Sequence, residues 1–399
     1  MKPAQLAAAL AMGASALAMA APALAEDVKI GVLLGYTGPI ESLTPGMADS
    51  AELAMTEVNN AGGVVDGDML VPVRADSTCI DAAAASAAAE RLVTAEGARA
   101  IMGADCSGVT IATLNNVAVP NGVVMVSPSA TSPALSSIED GGFFFRTAPS
   151  DARQGAVLAQ ILADKGVEEI AVTYTNNDYG KGLADSFQAA FEETGGKVLL
   201  SAAHEDGKAD YSAEVGALSA TGAEYLAVFG YADQGGVGII RASVDSGAFE
   251  KFVLGDGMFA ESLIEAIGDD LNGTIGSVPW SEGEGADAFV AAAEAAGVDP
   301  DGSFRRESYD AAALIALAMQ AAGSTDPKVF KDSVLDVANA PGEKILPGEL
   351  AKALQILKDG GDVDYVGATN VELIGPGEAA GTYREYEVKD GAYETVGFR

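Results

Sequence analysis

The amino-acid sequence predicts an α/β protein with two Rossmann-like lobes, each built on a parallel β-sheet. Short apolar strands alternate with amphipathic helices along most of the chain, a pattern typical of parallel sheets with right-handed crossovers. The series starts at residues 28–34 and starts again at residues 170–175. With 399 residues, the chain is long enough for two lobes with separate hydrophobic cores.

The first series of elements has the continuously apolar strands expected when both faces of a sheet are covered. Residues 28–34 form such a strand, and a glycine-rich loop follows at 35–39. Apolar residues then recur at helical spacing from Met47 to Ala61, and Gly62-Gly63 ends that helix. The later predicted elements are a strand at 71–75, a helix at 82–96, a strand at 100–102, a helix from Thr110 and a strand at 123–126.

The second series repeats the plan, and the rest of the chain returns to the first lobe. Its predicted elements are strands at 170–175, 197–202, 225–229 and 252–254 and helices at 182–193, 212–221 and 235–246. Helices at 308–322 and 348–358 and a segment at 365–373 would rejoin the first lobe, while the strand-like residues 383–388 and 393–397 have no evident partner.

The connections between the lobes are expected where strands lead into polar, proline-containing turns, at 145–149 and 276–280. We therefore expect residues 26–147 and 279–382 to form the first lobe. Residues 148–278 and 383–399 would form the second lobe.

The amino terminus has the features of a secretory signal peptide. Lys2 precedes an apolar run, and Ala23-Leu24-Ala25 is a small-x-small cleavage site before Glu26. Residues 1–25 are therefore expected to be removed after Ala25, which leaves a mature protein in the periplasm. No later segment reaches 18 uninterrupted apolar residues, so we expect a soluble mature chain.

The net charge limits which partners we expect, and the cysteines predict a disulfide. The formal net charge is −35 and falls to about −36 without the signal peptide, which disfavours nucleic acid and anionic membranes as partners. The only two cysteines, Cys79 and Cys106, are predicted to form a disulfide in an oxidising compartment. A metal site is not expected, because His204 is the only histidine.

Two neighbouring strands lead into small hydroxyl residues. The strand ending at Met102 runs into the segment 103–108, which contains Ser107, and the strand ending at Val126 runs into 127–133. Parallel strands bring both segments to the carboxyl edge of one sheet, where ligands bind. Hydroxyls and free N–H groups at this edge are suited to holding a small carboxylate.

The order of the segments resembles that of type I periplasmic binding proteins of the leucine/isoleucine/valine-binding branch, over nearly the whole mature chain. The residues that carry the resemblance are KIGVL at 29–33, GP at 38–39, EVNNAGG at 57–63, DSTC at 76–79, GADCS at 103–107, SPSATSP at 127–133 and NDYGKG at 177–182. The resemblance implies two lobes joined by a hinge of three crossovers. It also implies a ligand that is trapped between the lobes and passed to ABC permease subunits in the inner membrane, with no cofactor.

The resemblance also implies roles for individual residues. Ser107, Ser129 and Thr131, with Ala130 in the same loop, match first-lobe positions that bind the α-carboxylate of an amino acid. Asp256 matches the position of an acidic partner for the α-ammonium group, which is usually Glu in the family. The aromatic residues that close over the ligand from the second lobe are Tyr179 and Tyr231.

Each of these residues also has a purely structural interpretation. Ser129 and Thr131 are favoured in turns and helix caps, Asp256 is suited to a turn before glycine, and the tyrosines are suited to packing. Leu43 and Tyr309 are further candidates for the pocket that holds the ligand side chain. For the single tryptophan, Trp280, both packing at a crossover and a place at the cleft mouth remain open.

The sequence lacks the motifs of an enzyme. It has no G-x-S-x-G elbow, no P-loop and no dinucleotide fingerprint, and His204 lies in a polar stretch that we expect to be a solvated loop. We expect a monomeric binding protein for a small α-amino acid, branched-chain or aliphatic by the resemblance. The alternatives are the same fold binding an amide, urea or an aromatic carboxylate, and a ligand-sensing module.

Overall fold

The computed structural model describes residues 27–399 and consists of two lobes, each built around a seven-stranded sheet. The expected signal peptide at 1–25 lies outside the described residues. Within the described part of the chain, no helix has both the length and the apolar character needed to cross a bilayer. The two-lobed α/β fold expected from the sequence is confirmed.

The first lobe contains the sheet with strand order β13-β14-β5-β4-β3-β1-β2. Its strands pair in parallel, except that β13 runs antiparallel to β14. The strands are β1 (Asp27–Leu34), β2 (Met69–Asp76), β3 (Ala100–Gly103), β4 (Val124–Ser127), β5 (Phe144–Pro149), β13 (Leu373–Ile374) and β14 (Glu378–Ala379). Two further strands, β11 (Glu343–Ile345) and β12 (Val363–Tyr365), form a separate two-stranded parallel sheet.

The second lobe contains the sheet with strand order β16-β15-β10-β9-β8-β6-β7. Its strands are β6 (Glu169–Thr175), β7 (Lys197–His204), β8 (Tyr225–Phe229), β9 (Lys251–Leu254), β10 (Ile275–Pro279), β15 (Tyr383–Lys389) and β16 (Ala392–Phe398). The last two strands, for which the sequence offered no partner, form a hairpin that adds antiparallel to β10. The otherwise parallel sheet is therefore mixed at this edge, because the two residues between β15 and β16 allow only an antiparallel hairpin.

The helices cover the sheets in the order that the alternating pattern predicts. In the first half of the chain they are α1 (Thr44–Asn60), α2 (Ala82–Glu90), α3 (Ser107–Thr113), α4 (Val119–Asn121), α5 (Asp151–Asp164), α6 (Asp178–Glu193) and α7 (Ser212–Ser219). The others are α8 (Gly235–Ser246), α9 (Glu261–Ile267), α10 (Glu284–Ala296), α11 (Arg305–Ala322), α12 (Pro327–Phe330), α13 (Val334–Ala338) and α14 (Leu350–Lys358).

Three connections join the lobes, after β5, after β10 and between β14 and β15. Two of them are hydrogen-bonded to each other, because the Trp280 N–H donates to the Thr382 carbonyl at 3.0 Å. The Trp280 ring lies under the guanidinium groups of Arg306 and Arg384, at 4.1 and 5.0 Å from the ring centre. Trp280 is therefore a packing residue of the crossover, and one arginine from each lobe contacts it.

His204 is buried at the end of β7 and does not lie in a solvated loop, so that expectation is wrong. Its Nδ1 lies 2.9 Å from the Thr173 hydroxyl on the neighbouring strand β6. Burial lowers the pKa of His204 to about 4, so the ring is neutral at neutral pH. The polar residues that follow His204 gave the misleading signal, although the strand itself continues to the histidine.

The predicted disulfide between Cys79 and Cys106 is present and joins the segment after β2 to the residue before α3. Both cysteines are buried, and their Cα atoms are 5.1 Å apart. The bond closes a loop with a sequence separation of 27 residues, which contains α2 and β3. It therefore fixes the start of α3 relative to the loops at the carboxyl edge of the first sheet.

We expect the double variant Cys79→Ala/Cys106→Ala to unfold at a lower temperature while keeping its secondary structure. Without the crosslink the unfolded chain gains conformational entropy, which lowers the stability of the fold by about 3.5 kcal/mol for a loop of this length. Chemical unfolding followed by circular dichroism measures the difference, and wild-type protein under reducing conditions should match the variant. Equal stability of oxidised and reduced wild type would contradict the expectation.

Candidate functional site

A small cavity, with an accessible volume of about 20 Å³, lies between the two lobes at the carboxyl edges of both sheets. The first lobe contributes residues from the loops after β1, β3 and β4 and the residue before α11, and the second lobe contributes residues after β6, β8 and β9. The lining residues are Ile40, Leu43, Asp105, Cys106, Ser107, Ser129, Tyr179, Tyr231, Asp256, Gly257 and Phe304. The structure thus brings Leu43, Ser107, Ser129, Tyr179, Tyr231 and Asp256 together around one cavity.

The first-lobe wall is a loop after β4 that is held rigidly from behind. The Ser127 hydroxyl donates to the Ala104 carbonyl at 2.5 Å and accepts from the Ala130 N–H at 3.0 Å. The buried Arg146 guanidinium donates to the carbonyls of Ala130 and Ser132, both at 3.0 Å, and pairs with Glu378. The loop is therefore preorganised by side chains that do not line the cavity.

The three hydroxyl residues of this wall differ in what they can offer a ligand. Ser107 Oγ accepts from the Ser132 N–H at 3.1 Å, so its own proton can still be donated. Ser129 Oγ donates to the Asp105 carbonyl at 3.1 Å, so its proton is already used. Thr131 Oγ1 is buried without a hydrogen-bond partner among the described residues; Ala130 and Thr131 are not lining residues themselves but directly follow the lining residue Ser129 in the same loop.

The second-lobe wall is acidic and aromatic. Asp256, only 2% exposed, follows β9 and accepts a hydrogen bond from the Tyr179 hydroxyl at 2.7 Å. Tyr179 and Tyr231 stack with ring centres 5.2 Å apart, and Asn177 donates to the Tyr231 hydroxyl at 3.3 Å. Burial raises the pKa of Asp256, and the Tyr179 hydrogen bond opposes that shift only in part.

Local sequence features explain why these side chains converge. Asn177 caps α6 by accepting from the N–H groups of Tyr179 and Gly180, which fixes Tyr179 in the first turn of the helix. A Cβ at Gly180 would lie 2.3 Å from the Thr175 carbonyl oxygen, and a Cβ at Gly257 would lie 2.6 Å from that of Gly230. The two glycines therefore permit the close backbone approach that places Tyr179 against Asp256.

Asp151, in the first turn of α5, is a further acidic residue that sequence reasoning missed; it does not line the cavity, but it interacts electrostatically with Asp256, which does. Its side chain is fully buried, and neither carboxylate oxygen has a hydrogen-bond partner among the described residues. Burial and then the charge of Asp256 raise the pKa of Asp151 well above its ordinary value. The nearby Thr131 hydroxyl offsets this only in part, because no hydrogen bond of good geometry joins the two side chains.

The other end of the cavity is apolar. Ile40, Leu43 and Phe304 line it together with the half-cystine Cys106. Asp105 also lines the cavity, but its carboxylate accepts from the Gly35 N–H at 2.5 Å and the Ser77 hydroxyl at 2.8 Å. Since that carboxylate is already hydrogen-bonded within the first lobe, the apolar end is suited to a hydrocarbon side chain.

Tyr309 does not line the cavity, so its suggested place in the side-chain pocket is wrong. Its hydroxyl donates to Glu57 on α1, and its ring packs against Phe289 on α10. Because α11 packs along α1, this face of the helix points into the core of the first lobe. Phe304, directly before α11, occupies the pocket instead, in a left-handed conformation with φ +60°.

The sequence signals for the missed residues range from weak to absent. Arg146 is the one basic residue of strand β5, which is buried throughout, and a basic residue in such a strand suggests an internal partner. Asp151 has the position of an acidic residue in the first turn of a helix, which is normally explained by the helix dipole. Nothing in the sequence marks Phe304 or Ile40 as pocket residues.

The chain is similar in sequence to known proteins over most of its length. Residues 27–341 match the family model described as periplasmic binding protein. The Leu/Ile/Val-binding protein homolog 1 of Brucella melitensis is 32% identical over 85% of this chain and 86% of its own length. The leucine-, isoleucine-, valine-, threonine- and alanine-binding protein of Pseudomonas aeruginosa is 29% identical over 78% of this chain and 82% of its own length.

Solved structures agree on the fold. The crystal structure of the leucine-binding protein LivK of Thermotoga maritima superimposes with a TM-score of 0.79 at 24% sequence identity. The alignment covers 93% of this chain and 98% of that one. The similarity therefore extends over both lobes.

Within the part of the chain that the structure describes, no group of three or more His, Cys, Asp or Glu side chains is arranged to hold a metal ion.

We expect Ser127→Ala to destabilise the protein by about 1–3 kcal/mol, because buried backbone groups of Ala104 and Ala130 lose their partner. Ser137→Ala is the matched control, since Ser137 is exposed and its hydroxyl makes only a 3.4 Å contact. Urea unfolding of both variants measures the difference. If the two variants unfold at the same urea concentration, the Ser127 hydroxyl does not organise the loop.

Proposed function

Because this chain belongs to the periplasmic binding protein family, we propose that it is the substrate-binding component of an ABC importer for an α-amino acid. The ligand occupies the cavity between the lobes, with its charged groups at the polar walls and its side chain at the apolar end. A branched-chain or other aliphatic amino acid is the ligand that fits this division.

The observation that carries the proposal is the buried carboxyl group of Asp256 in the cavity wall, together with the buried carboxyl group of Asp151, which interacts with it electrostatically. Among the described residues the cavity has no basic side chain to pair with these two carboxyl groups, so each disfavours the ionisation of the other. An α-ammonium group placed beside them supplies the missing positive charge. Asp151 belongs to the proposed ammonium site for two reasons. Neither of its carboxylate oxygens has a hydrogen-bond partner among the described residues, and the charge of Asp256 raises its pKa.

The first-lobe wall supplies the other half of the recognition. In this proposal Ser107 and Thr131 donate to the ligand carboxylate, while Ser129 and Ala130 shape the loop that presents these groups. A zwitterion buried between lobes loses water at both charged ends, and unpaired ends would cost several kcal/mol each. Donors on one wall and acceptors on the other meet this demand.

The apolar end supports the choice of side chain. Ile40, Leu43 and Phe304 offer no donor or acceptor from their side chains, so a polar ligand side chain would lose its hydration there without compensation. The relatives from Brucella and Pseudomonas, named as a Leu/Ile/Val-binding protein homolog and as a leucine-, isoleucine-, valine-, threonine- and alanine-binding protein, support the same ligand class.

The family consists of extracytoplasmic binding components of transporters, and the finer points of this chain's biology are part of the proposal. We propose that the signal peptide is cleaved after Ala25 and that the mature protein works in the periplasm. It acts as a monomer, since one chain supplies both walls of the site, and it delivers its ligand to permease subunits in the inner membrane. A hinge motion at the three connections opens and closes the cavity.

We expect Asp256→Ala to weaken L-leucine binding by about 2–5 kcal/mol, because a desolvated ammonium group loses its ionic partner. Isothermal titration calorimetry measures the loss. The ligand-free variant should unfold at the same or a higher temperature than wild type, because a carboxyl group whose pKa is raised by burial does not stabilise the folded state at neutral pH.

The control ligand is 4-methylpentanoate, which is leucine without its amino group. It should bind wild type weakly and lose little more in Asp256→Ala. The matched variant Thr131→Val should weaken both ligands, because it removes a hydroxyl at nearly constant volume. Unchanged leucine binding by Asp256→Ala would exclude the ammonium assignment and favour an amide, urea or an aromatic carboxylate, which the same titration tests directly.

The affinity for leucine is expected to fall as the pH is lowered from 7.5 to 5. Burial raises the pKa of both Asp151 and Asp256 in the ligand-free protein, so acidic solution protonates them at a higher pH than ordinary carboxyl groups. The ammonium group pairs with the ionised form, so binding must release protons. Calorimetry in two buffers of different ionisation enthalpy counts the protons released.

Asp151→Asn provides the control for this pH dependence. The amide keeps the shape of the side chain but cannot hold a titrating proton, so the variant should release fewer protons and show a flatter pH profile. A wild-type affinity that stays constant from pH 7.5 to 5, without proton release, would contradict the proposed acidic site.

A further inference from the structure

Outside the ligand cavity, one acidic residue of the second lobe is hydrogen-bonded to the first lobe. Asp233 lies in the loop between β8 and α8, and its carboxylate accepts from the Ser42 N–H at 2.9 Å. Its own backbone N–H donates to the Pro39 carbonyl at 3.1 Å. Both partners lie in the loop before α1, so the two contacts join the lobes.

A serine of the second lobe completes this cluster. Ser262, on α9, donates from its hydroxyl to the other carboxylate oxygen of Asp233 at 2.6 Å. The same hydroxyl lies 3.2 Å from the hydroxyl of Ser42. Asp233 is thus oriented from within its own lobe while it contacts the opposite lobe.

The contact also supplies a hydrogen-bond acceptor at the start of helix α1 in the first lobe. Helix α1 has 17 residues, and its N-cap residue, Leu43, makes no side-chain hydrogen bond to the helix. The carboxylate of Asp233 accepts from the residue directly before that N-cap, where a negative charge is favoured by the helix dipole. Only closed lobes give this helix end a charged acceptor.

We propose that Asp233 is a positioning residue that latches the closed lobes together and so slows the release of the ligand. It does not line the ligand cavity, and its carboxylate is bonded to Ser42 and Ser262. Opening the lobes breaks the Ser42 and Pro39 contacts together. The inference rests on the proposed binding function only for the choice of L-leucine as the probe.

Stopped-flow measurement of L-leucine release tests the latch with Asp233→Ala. We expect release to be roughly tenfold faster, because a hydrogen bond to a charged group is lost only from the closed state. The association rate constant and the unfolding temperature of ligand-free protein should stay at their wild-type values. A merely structural role would instead lower the unfolding temperature.

Asp245→Ala is the matched control, since Asp245 is an exposed residue of α8 in the same lobe and its loss changes the net charge equally. It should release leucine at the wild-type rate. Asp233→Asn keeps an acceptor for the Ser42 amide without the charge and should lie between wild type and Asp233→Ala. Equal release rates for Asp233→Ala and wild type would overturn the proposal.

A second measurement does not depend on the ligand. In the double variant Ser42→Cys/Ser262→Cys, the two thiols replace hydroxyls that are 3.2 Å apart in the closed form. Diamide accepts two electrons and two protons as the thiols form a disulfide. Adding Asp233→Ala should slow this crosslinking, and an unchanged rate would contradict the latch. If wild type fails to bind leucine, the proposed function fails, while the crosslinking rate still decides the latch.

Discussion

The burial of carboxyl groups between the two lobes is the constraint on which the site depends. Asp105 is hydrogen-bonded by Gly35 and Ser77, so it is accommodated within the first lobe. Asp151 and Asp256 lack such a complete set of partners, and burial raises the pKa of both. Closing the lobes without a cation therefore carries the cost of desolvating these carboxyl groups. An ammonium group between the lobes offsets that cost. In the proposed function, ligand binding and lobe closure are coupled through this electrostatic balance.

The opposite wall presents neutral donors on a rigid loop. Arg146 does not point its charge at the cavity, because its guanidinium holds the Ala130 and Ser132 carbonyls and pairs with Glu378 on β14. Since β14 precedes the third connection between the lobes, the same buried ion pair ties the carboxylate-side loop to the hinge. A loop held in this way needs little reorganisation when a ligand binds, and a highly acidic chain can still bind a carboxylate through local hydroxyls.

The closed conformation depends on contacts that are divided between the ligand cavity and its surroundings. Near the hinge, Trp280 packs between arginines of the two lobes, and Ser303 donates to the Phe259 carbonyl of the second lobe at 2.9 Å. Around the loop before α1, Asp233 supplies the corresponding polar contacts. Recognition and retention of a ligand can therefore be separated, because different residues provide them.

The sequence by itself determined the alternation of strands and helices, the two lobes and the disulfide, because periodicity, glycine stops and paired cysteines are local signals. The strand pattern also placed Ser107 at the ligand edge of a sheet, and the family resemblance added Asp256 and Tyr179 to the same site. Only the tertiary structure decided that the last two strands form an antiparallel hairpin, that His204 is buried and that Tyr309 points into the first lobe. It alone revealed Asp151, Phe304 and Asp233, because burial without a partner, a cavity wall or a contact across a cleft exists only between segments distant in the chain.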